Sequence, residues 1–289
     1  MSKRPVSLAL ALILGTALAS CQPPPAPPVA AAPTEPAATA AATQPADAIA
    51  AKVAAYAEVT LSADLSALSE GDRQALVLLL QAGEVMDALF WKQVWGDKEA
   101  LLKGIADPAT RRFVEINYGP WDRLDADRPF VEGIGARPPG AQFYPADMSK
   151  EEFAAAELPG KDSLYTVIRR DAAGKLIVVP YHEAYKDELD QAAGLLRQAG
   201  ALVSDAGFAA YLKLRADALQ SDDYQPSDMA WMDMKQSPID MVVGPIESYQ
   251  DALYGTKAAF EAFVLVKDIA WSERLARFAQ HLPALQRGL

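Results

Sequence analysis

Residues 22–48 hold eight prolines and eleven alanines in 27 positions, and Glu35 and Asp47 are their only charges. A segment of this composition has no aromatic side chain to bury and few backbone donors where its prolines cluster, so it reads as an extended tether. Folding is thereby confined to residues 49–289, where all five tryptophans lie: Trp91, Trp95, Trp121, Trp231 and Trp271. These about 240 residues bury roughly 70–75 % of their unfolded surface in one or two domains. Apolar residues make up 51 % of the sequence and charged residues 22 %, a balance that supports a packed core.

Ahead of the tether, Lys3 and Arg4 precede an apolar stretch of 13 residues, Val6 to Leu18. This is shorter than the ~20 residues a membrane-spanning helix needs and suits a secretory signal peptide. The stretch runs into Leu18-Ala19-Ser20-Cys21, which resembles the lipobox of bacterial lipoproteins: small residues fit the signal peptidase, and the Cys21 thiol receives the lipid. The other reading, a chance cysteine in an ordinary signal peptide, stays open beside it. The lipobox implies a signal peptide at 1–20, a lipidated Cys21 opening a tether at 21–48, and a membrane-anchored protein facing the periplasm. Each acyl CH₂ that enters the bilayer contributes ~0.8 kcal/mol. Gln22 after the cysteine, where aspartate would retain a lipoprotein, favours the outer membrane.

The formal charge is −11, from 27 basic and 38 acidic side chains, and removal of residues 1–20 makes the chain more acidic still. A nucleic-acid partner is therefore not expected, because neutralising phosphates requires a basic surface. Cys21 is the sole cysteine, which excludes an intrachain disulfide, a cysteine zinc cluster and a CxxC pair. The two histidines, His182 and His281, stand 99 residues apart and leave no HExxH helix.

Within the folding region, Leu76, Leu79, Leu80, Gly83, Met86, Leu89, Phe90 and Trp95 recur at helical spacing and predict a long half-buried helix. Ser69, followed by Glu70 and Asp72, opens it, and Gly96 stops it. Residues 107–116 predict a second helix with Pro108 in its first turn. The 32 residues from Asn117 to Met148 are rich in proline and glycine and read as a loop pinned by Trp121, Phe130, Phe143 and Tyr144. A loop of that length serves a cleft or wraps the surface. Residues 164–170 and 175–180 form a β-hairpin pattern, and helical patterns resume at 183–199 and 204–221. The latter carries Phe208, Leu212, Arg215 and Leu219 on one face. A strand pair follows from Ile239 and Phe260, then a closing helix with Trp271, Leu275, Phe278 and Leu282 on one face. Four or five strands among these helices give a helix-rich α+β architecture with a small hairpin or sheet.

Few motifs carry chemistry. His182-Glu183 begins like a zinc helix, but Lys186 stands where the second imidazole belongs, which leaves a partly exposed pair near a helix start. The GIGARP segment from Gly133 lacks the third glycine of a dinucleotide loop and follows no strand. Neither GxSxG nor GxxxxGK[ST] occurs, which excludes hydrolases of those types. Seven acids, Asp222, Asp223, Asp228, Asp233, Asp240, Glu247 and Asp251, fall within 30 residues, interleaved with Tyr224, Trp231, Tyr249 and Tyr254. They suit a cation or a substrate ammonium, since carboxylates and aromatic faces both attract positive charge. Helix caps and a solvated charged face account for the same run.

The stretch from Ile239, IDMVVGPIESYQDALYGTKAAFEAFVLVKD, is similar to part of the dipeptidyl peptidase III family of zinc exopeptidases, through Gly244, Ile246, Glu247, Ser248, Tyr249, Asp251, Tyr254, Gly255, Phe260, Glu261, Phe263 and Val264. Upstream, YGPWDRL, PFVEGIGARPPGAQFYPADM, YTVIRR, VPYHEAY and SDMAWMD resemble the bacterial branch and the peptidase-like portion of plant Nudix fusions. The likeness covers most of residues 56–287. It implies a partial copy of a two-lobed metallopeptidase, with Asp240, Glu247 and Tyr249 on the substrate side. Asp240 takes the place of the family's ammonium-binding glutamate, whereas Val242 replaces the tyrosine that would polarise the scissile carbonyl. The family's zinc motif, HExxGH with a later glutamate, does not occur in the sequence. The resemblance thus implies zinc for the full-length family, no cofactor in this chain, and no catalytic or metal-binding residue here.

Two functions are expected from these readings. One is the amino-terminal, substrate-side part of a lipid-anchored zinc dipeptidyl peptidase, inactive alone, with short peptides and a zinc-binding second half as partners. The other is a non-catalytic periplasmic lipoprotein that binds peptides or another protein.

Overall fold

The computed structural model describes residues 46–288, so Cys21, the signal peptide and all but the end of the tether lie outside the described residues. The first helix, α1 (Ala46–Ala54), already includes the last three residues of the expected tether. It is held by Ile49, which is buried with Trp91, Ile105, Phe113, Val114 and Phe130 in a small side core.

The long helix α2 (Glu70–Val94) forms as its pattern dictates. Ser69 caps it, its hydroxyl accepting from the Asp72 amide at 3.0 Å while Asp72 reaches back to the Ser69 amide at 3.3 Å. Asp72 also accepts from the Ser204 amide at 2.9 Å, so the cap ties the start of α2 to a segment 132 residues away. Leu79, Met86 and Leu89 are buried as expected, but Leu80 faces solvent, and its place on the buried stripe goes to Ala75, Ala82 and Val85. Gly96 follows with φ +123°, the conformation that ends the helix.

Short α3 (Lys98–Lys103) leads to α4 (Pro108–Asn117), whose first-turn proline matches the sequence reading and which Asp107 caps. The proline-rich loop holds one tight ribbon, β1 (Trp121–Asp122) with β2 (Arg128–Pro129), and buries Trp121, Phe130, Phe143 and Tyr144. After α5 (Lys150–Ala155), the hairpin of β3 (Thr166–Arg170) and β4 (Leu176–Pro180) pairs Thr166 with Pro180 and Arg170 with Leu176. The expected helix at 183–199 is two: α6 (Tyr181–Ala184) and α7 (Lys186–Gly200). The break lies at Tyr185, with φ −125° and ψ 30°, whose buried ring packs against Tyr181 and Phe260. Next come α8 (Ala206–Leu219), capped by Asp205, and α9 (Gln225–Asp233), which opens on Pro226.

Strands β5 (Ile239–Glu247) and β6 (Ala259–Val266) pair antiparallel, Ile239 opposite Val266, with a bulge between Pro245 and Glu247. Ile239, Met241, Val243 and Phe260 point into the main core with Leu79 and Met86 of α2, Leu196 of α7, and Phe208 and Leu212 of α8. Gln93 of α2 locks the sheet in place: its side-chain carbonyl accepts from the Phe260 amide at 2.8 Å.

The closing helix differs most from expectation. It is broken into α10 (Ile269–Ala279) and α11 (Leu282–Arg287), because Pro283 restarts the helix. Its apolar face packs on nothing described: Leu275 is 65 % and Phe278 72 % exposed, and Trp271 and Leu282 are also open.

Candidate functional site

The outer side of β5 carries the site. Alternation along the strand buries Ile239, Met241 and Val243 and turns Asp240 and Val242 the other way. Trp231, on α9, donates its indole N–H to Asp240 Oδ1 at 2.9 Å. The hydrogen bond fixes the carboxylate beside a cavity of about 330 Å³ lined by Tyr165, Tyr211, Arg215, Tyr224, Trp231 and Val242.

Arg215 is the charged residue in the apolar series of α8, and the structure explains its place. Its guanidinium lies between the rings of Tyr211 and Tyr224, 5.4 and 5.3 Å from their centroids, and pairs with Asp228 of α9. Its Nε and the Tyr224 hydroxyl are buried without a hydrogen-bond partner among the described residues. Burial first, then the nearby Asp222, holds the Tyr224 hydroxyl well above its ordinary pKa, so it stays a neutral donor. Gly244 permits the close packing: its φ is +132°, and a Cβ there would meet the Tyr224 ring at 3.3 Å and the Arg215 guanidinium at 3.5 Å. A fixed carboxylate beside apolar walls, with two unsatisfied donors below, suits a peptide that presents an ammonium and an apolar side chain.

Tyr224 and Trp231 belong to the acidic and aromatic run read from the sequence, whereas Arg215, Tyr165 and Tyr211 were not picked out as part of a site. The one available signal was Arg215 at a core position of an otherwise apolar face.

The described fold matches dipeptidyl peptidase III of Caldithrix abyssi with TM-score 0.77 and 36 % identity, and that of Corallococcus sp. strain EGB with TM-score 0.79 and 35 % identity. Each match covers 84 % of this chain and 48 % of the other. The chain is dipeptidyl-peptidase-III-like. It is also 31 % identical over 296 residues to Nudix hydrolase 3 of Arabidopsis thaliana, covering 81 % of this chain and 38 % of that protein. The chain thus spans less than half the length of these relatives. No family model matches it. Its helix-rich fold with small sheets is the partial dipeptidyl-peptidase-III-like architecture that the sequence implied.

This dipeptidyl-peptidase-III-like fold separates the three residues proposed from sequence. Asp240 stands at the Tyr–Trp cavity, and Glu247 ends β5 at the bulge. Tyr249 lies beyond it, its hydroxyl donating to Glu261 Oε1 at 3.2 Å beside a second cavity. The acidic run is likewise dispersed. Asp228 pairs with Arg215, Asp222 accepts from His182 Nδ1 at 2.8 Å, and Asp251 is buried in its own turn. A common cation site in that run is therefore not formed.

Zinc is implied for the full-length family by the resemblance alone. Among the described residues no group of three or more His, Cys, Asp and Glu side chains is placed to hold a metal ion. His182 Nδ1 is engaged by Asp222, whose pKa is raised chiefly by burial, and the pair anchors α6 to the turn before α9.

Proposed function

We propose that this chain is the substrate-side portion of a lipid-anchored, dipeptidyl-peptidase-III-like zinc hydrolase, held at the periplasmic face of the outer membrane through Cys21 and inactive alone. Asp240 receives the amino terminus of a short peptide, and the cavity beside it takes the first apolar side chain. The observation that carries this reading is the Trp231-held carboxylate at an aromatic cavity, on a chain 35–36 % identical to two dipeptidyl peptidases III. Glu247, ending the same strand, is assigned to the substrate side on the resemblance, and Tyr249 is assigned likewise. The zinc-bearing remainder of such an enzyme, present in relatives about twice as long, is the partner assigned to the open apolar face of α10 and α11.

Purified chain lacking residues 1–20 should hold no stoichiometric zinc, leave dipeptidyl arylamides uncleaved, and bind unblocked peptides longer than a dipeptide in a manner lost in Asp240→Asn. Stoichiometric zinc with turnover would overturn the reading. Mass spectrometry of the mature amino terminus tests the anchor, since an unmodified Cys21 rejects it.

The alternative is a peptide-binding lipoprotein without catalysis. It predicts the same thermal shift with peptide, about 2.7 kcal/mol at 100 times the dissociation constant. It also predicts no gain of activity when a zinc-bearing half is added.

A further inference from the structure

A second cavity, of about 350 Å³, lies along β6 on the side of α2 and contains charges of both signs that form no ion pair among the described residues. Arg123 donates Nε–H to the Asn117 carbonyl at 2.6 Å and Nη1–H to Gln250 Oε1 at 2.9 Å. No carboxylate among the described residues forms an ion pair with it, and Arg137 crowds the same Gln250 oxygen at 2.7 Å. Burial and that second guanidinium both disfavour the Arg123 charge. Across the cavity, half-buried Glu261 has Tyr249 as its hydrogen-bond partner, and Asp87 of α2 accepts from Tyr118 at 2.7 Å. Neither acid has a cation partner among the described residues. Half-buried charges left unpaired are costly, and a charge-assisted hydrogen bond from a ligand offsets that cost. Phe90 and Phe263 supply the apolar walls.

We propose that this cavity is a binding site for a small zwitterion, a free α-amino acid or dipeptide, whose carboxylate meets Arg123 and whose ammonium meets Glu261 and Asp87. Its lining shares no residue with the Asp240 cavity, and of the residues the peptidase reading uses it holds Tyr249, on which the charge pairing proposed here does not depend.

Calorimetric titration of the purified chain tests it, with four probes: L-phenylalanine, Gly-Phe, N-acetyl-phenylalanine and phenylalanine amide. One of the two zwitterions should saturate the chain below ~10 mM, and each blocked form should bind at least tenfold more weakly. Which zwitterion binds more tightly separates an amino-acid site from a dipeptide site. Glu261→Gln should weaken the zwitterion at least tenfold with little effect on phenylalanine-derived ligands that lack an ammonium, and Arg123→Met should do the converse. If Arg123→Met unfolds the chain, Glu261→Gln and the blocked probes decide alone. Asp240→Asn should leave this binding unchanged, so a failure here and a failure of the peptide site are separately visible. Absence of saturation by either zwitterion, equal affinity for blocked forms, or loss of binding in Asp240→Asn would each overturn the proposal.

Discussion

Lys257 is fully buried, yet it is not wasted: Nζ donates to the carbonyls of Lys161 and Ser163 at 2.6 and 2.9 Å and to Thr166 Oγ1 at 2.8 Å. Burial lowers its pKa from 10.5 to about 8, because three neutral acceptors do not replace hydration of the charge. Below pH 8 the folded and unfolded chains are both protonated here. Between pH 8 and 10.5 the folded chain loses the proton first, the unfolded chain binds more protons, and stability rises with pH. Urea unfolding from pH 7.5 to 9, below the range in which unfolded tyrosines ionise, should therefore show a rise, by at most about 1.4 kcal/mol per pH unit, that is missing in Lys257→Met. Asp251, six residues earlier, is the opposite case. It is buried and accepts from the Tyr144 hydroxyl at 2.8 Å and from the amides of Leu253, Tyr254, Thr256 and Lys257. Asp251→Ala strands those donors and should destabilise the chain by about 3 kcal/mol in the same assay. The residue is structural, although its place in an acidic run suggested a ligand site.

At the scale of elements, what sequence disclosed tracks how local the causes are. Helix α2 was legible because 25 residues repeat one apolar period and Ser69 and Asp72 announce its start. Asp72→Ala leaves the amide bond to the Ser69 hydroxyl but removes the carboxylate half of the capping box and both bonds from Ser204, and it should lower stability by about 2 kcal/mol, read as a shift in the denaturation midpoint with unchanged slope. The hairpin of β3 and β4 was legible through its turn. Helices α3, α5 and α9 were not, because six to nine residues carry too little periodicity and their formation depends on the neighbours they pack against. The candidate site failed for the same reason. Asp240 and Trp231 both lay in the acidic and aromatic run, but their pairing joins α9 to β5 across a turn, and Arg215 and Tyr165 arrive from α8 and the segment before β3. No spacing in the chain encodes their convergence.

For the molecule as a whole, the face of α10 and α11 separates the two readings of function. Trp271, Leu275, Phe278, Leu282 and Leu285 recur at the spacing of a core-facing helix, and all are exposed. Apolar surface of this kind contributes nothing to the stability of the chain alone, so Leu275→Asp with Phe278→Asp should leave its unfolding midpoint within experimental error. If the face seats the zinc-bearing half of a dipeptidyl-peptidase-III-like enzyme, the substitutions act on assembly instead. Mixing the chain with the half of the Caldithrix abyssi enzyme that it does not match should give a complex by size-exclusion chromatography and cleavage of a dipeptidyl arylamide, and the double variant should give neither. A complex without activity would favour the binding lipoprotein. Equal assembly by the double variant would remove α10 and α11 from the interface and leave the edges of β5 and β6 as the surface to examine.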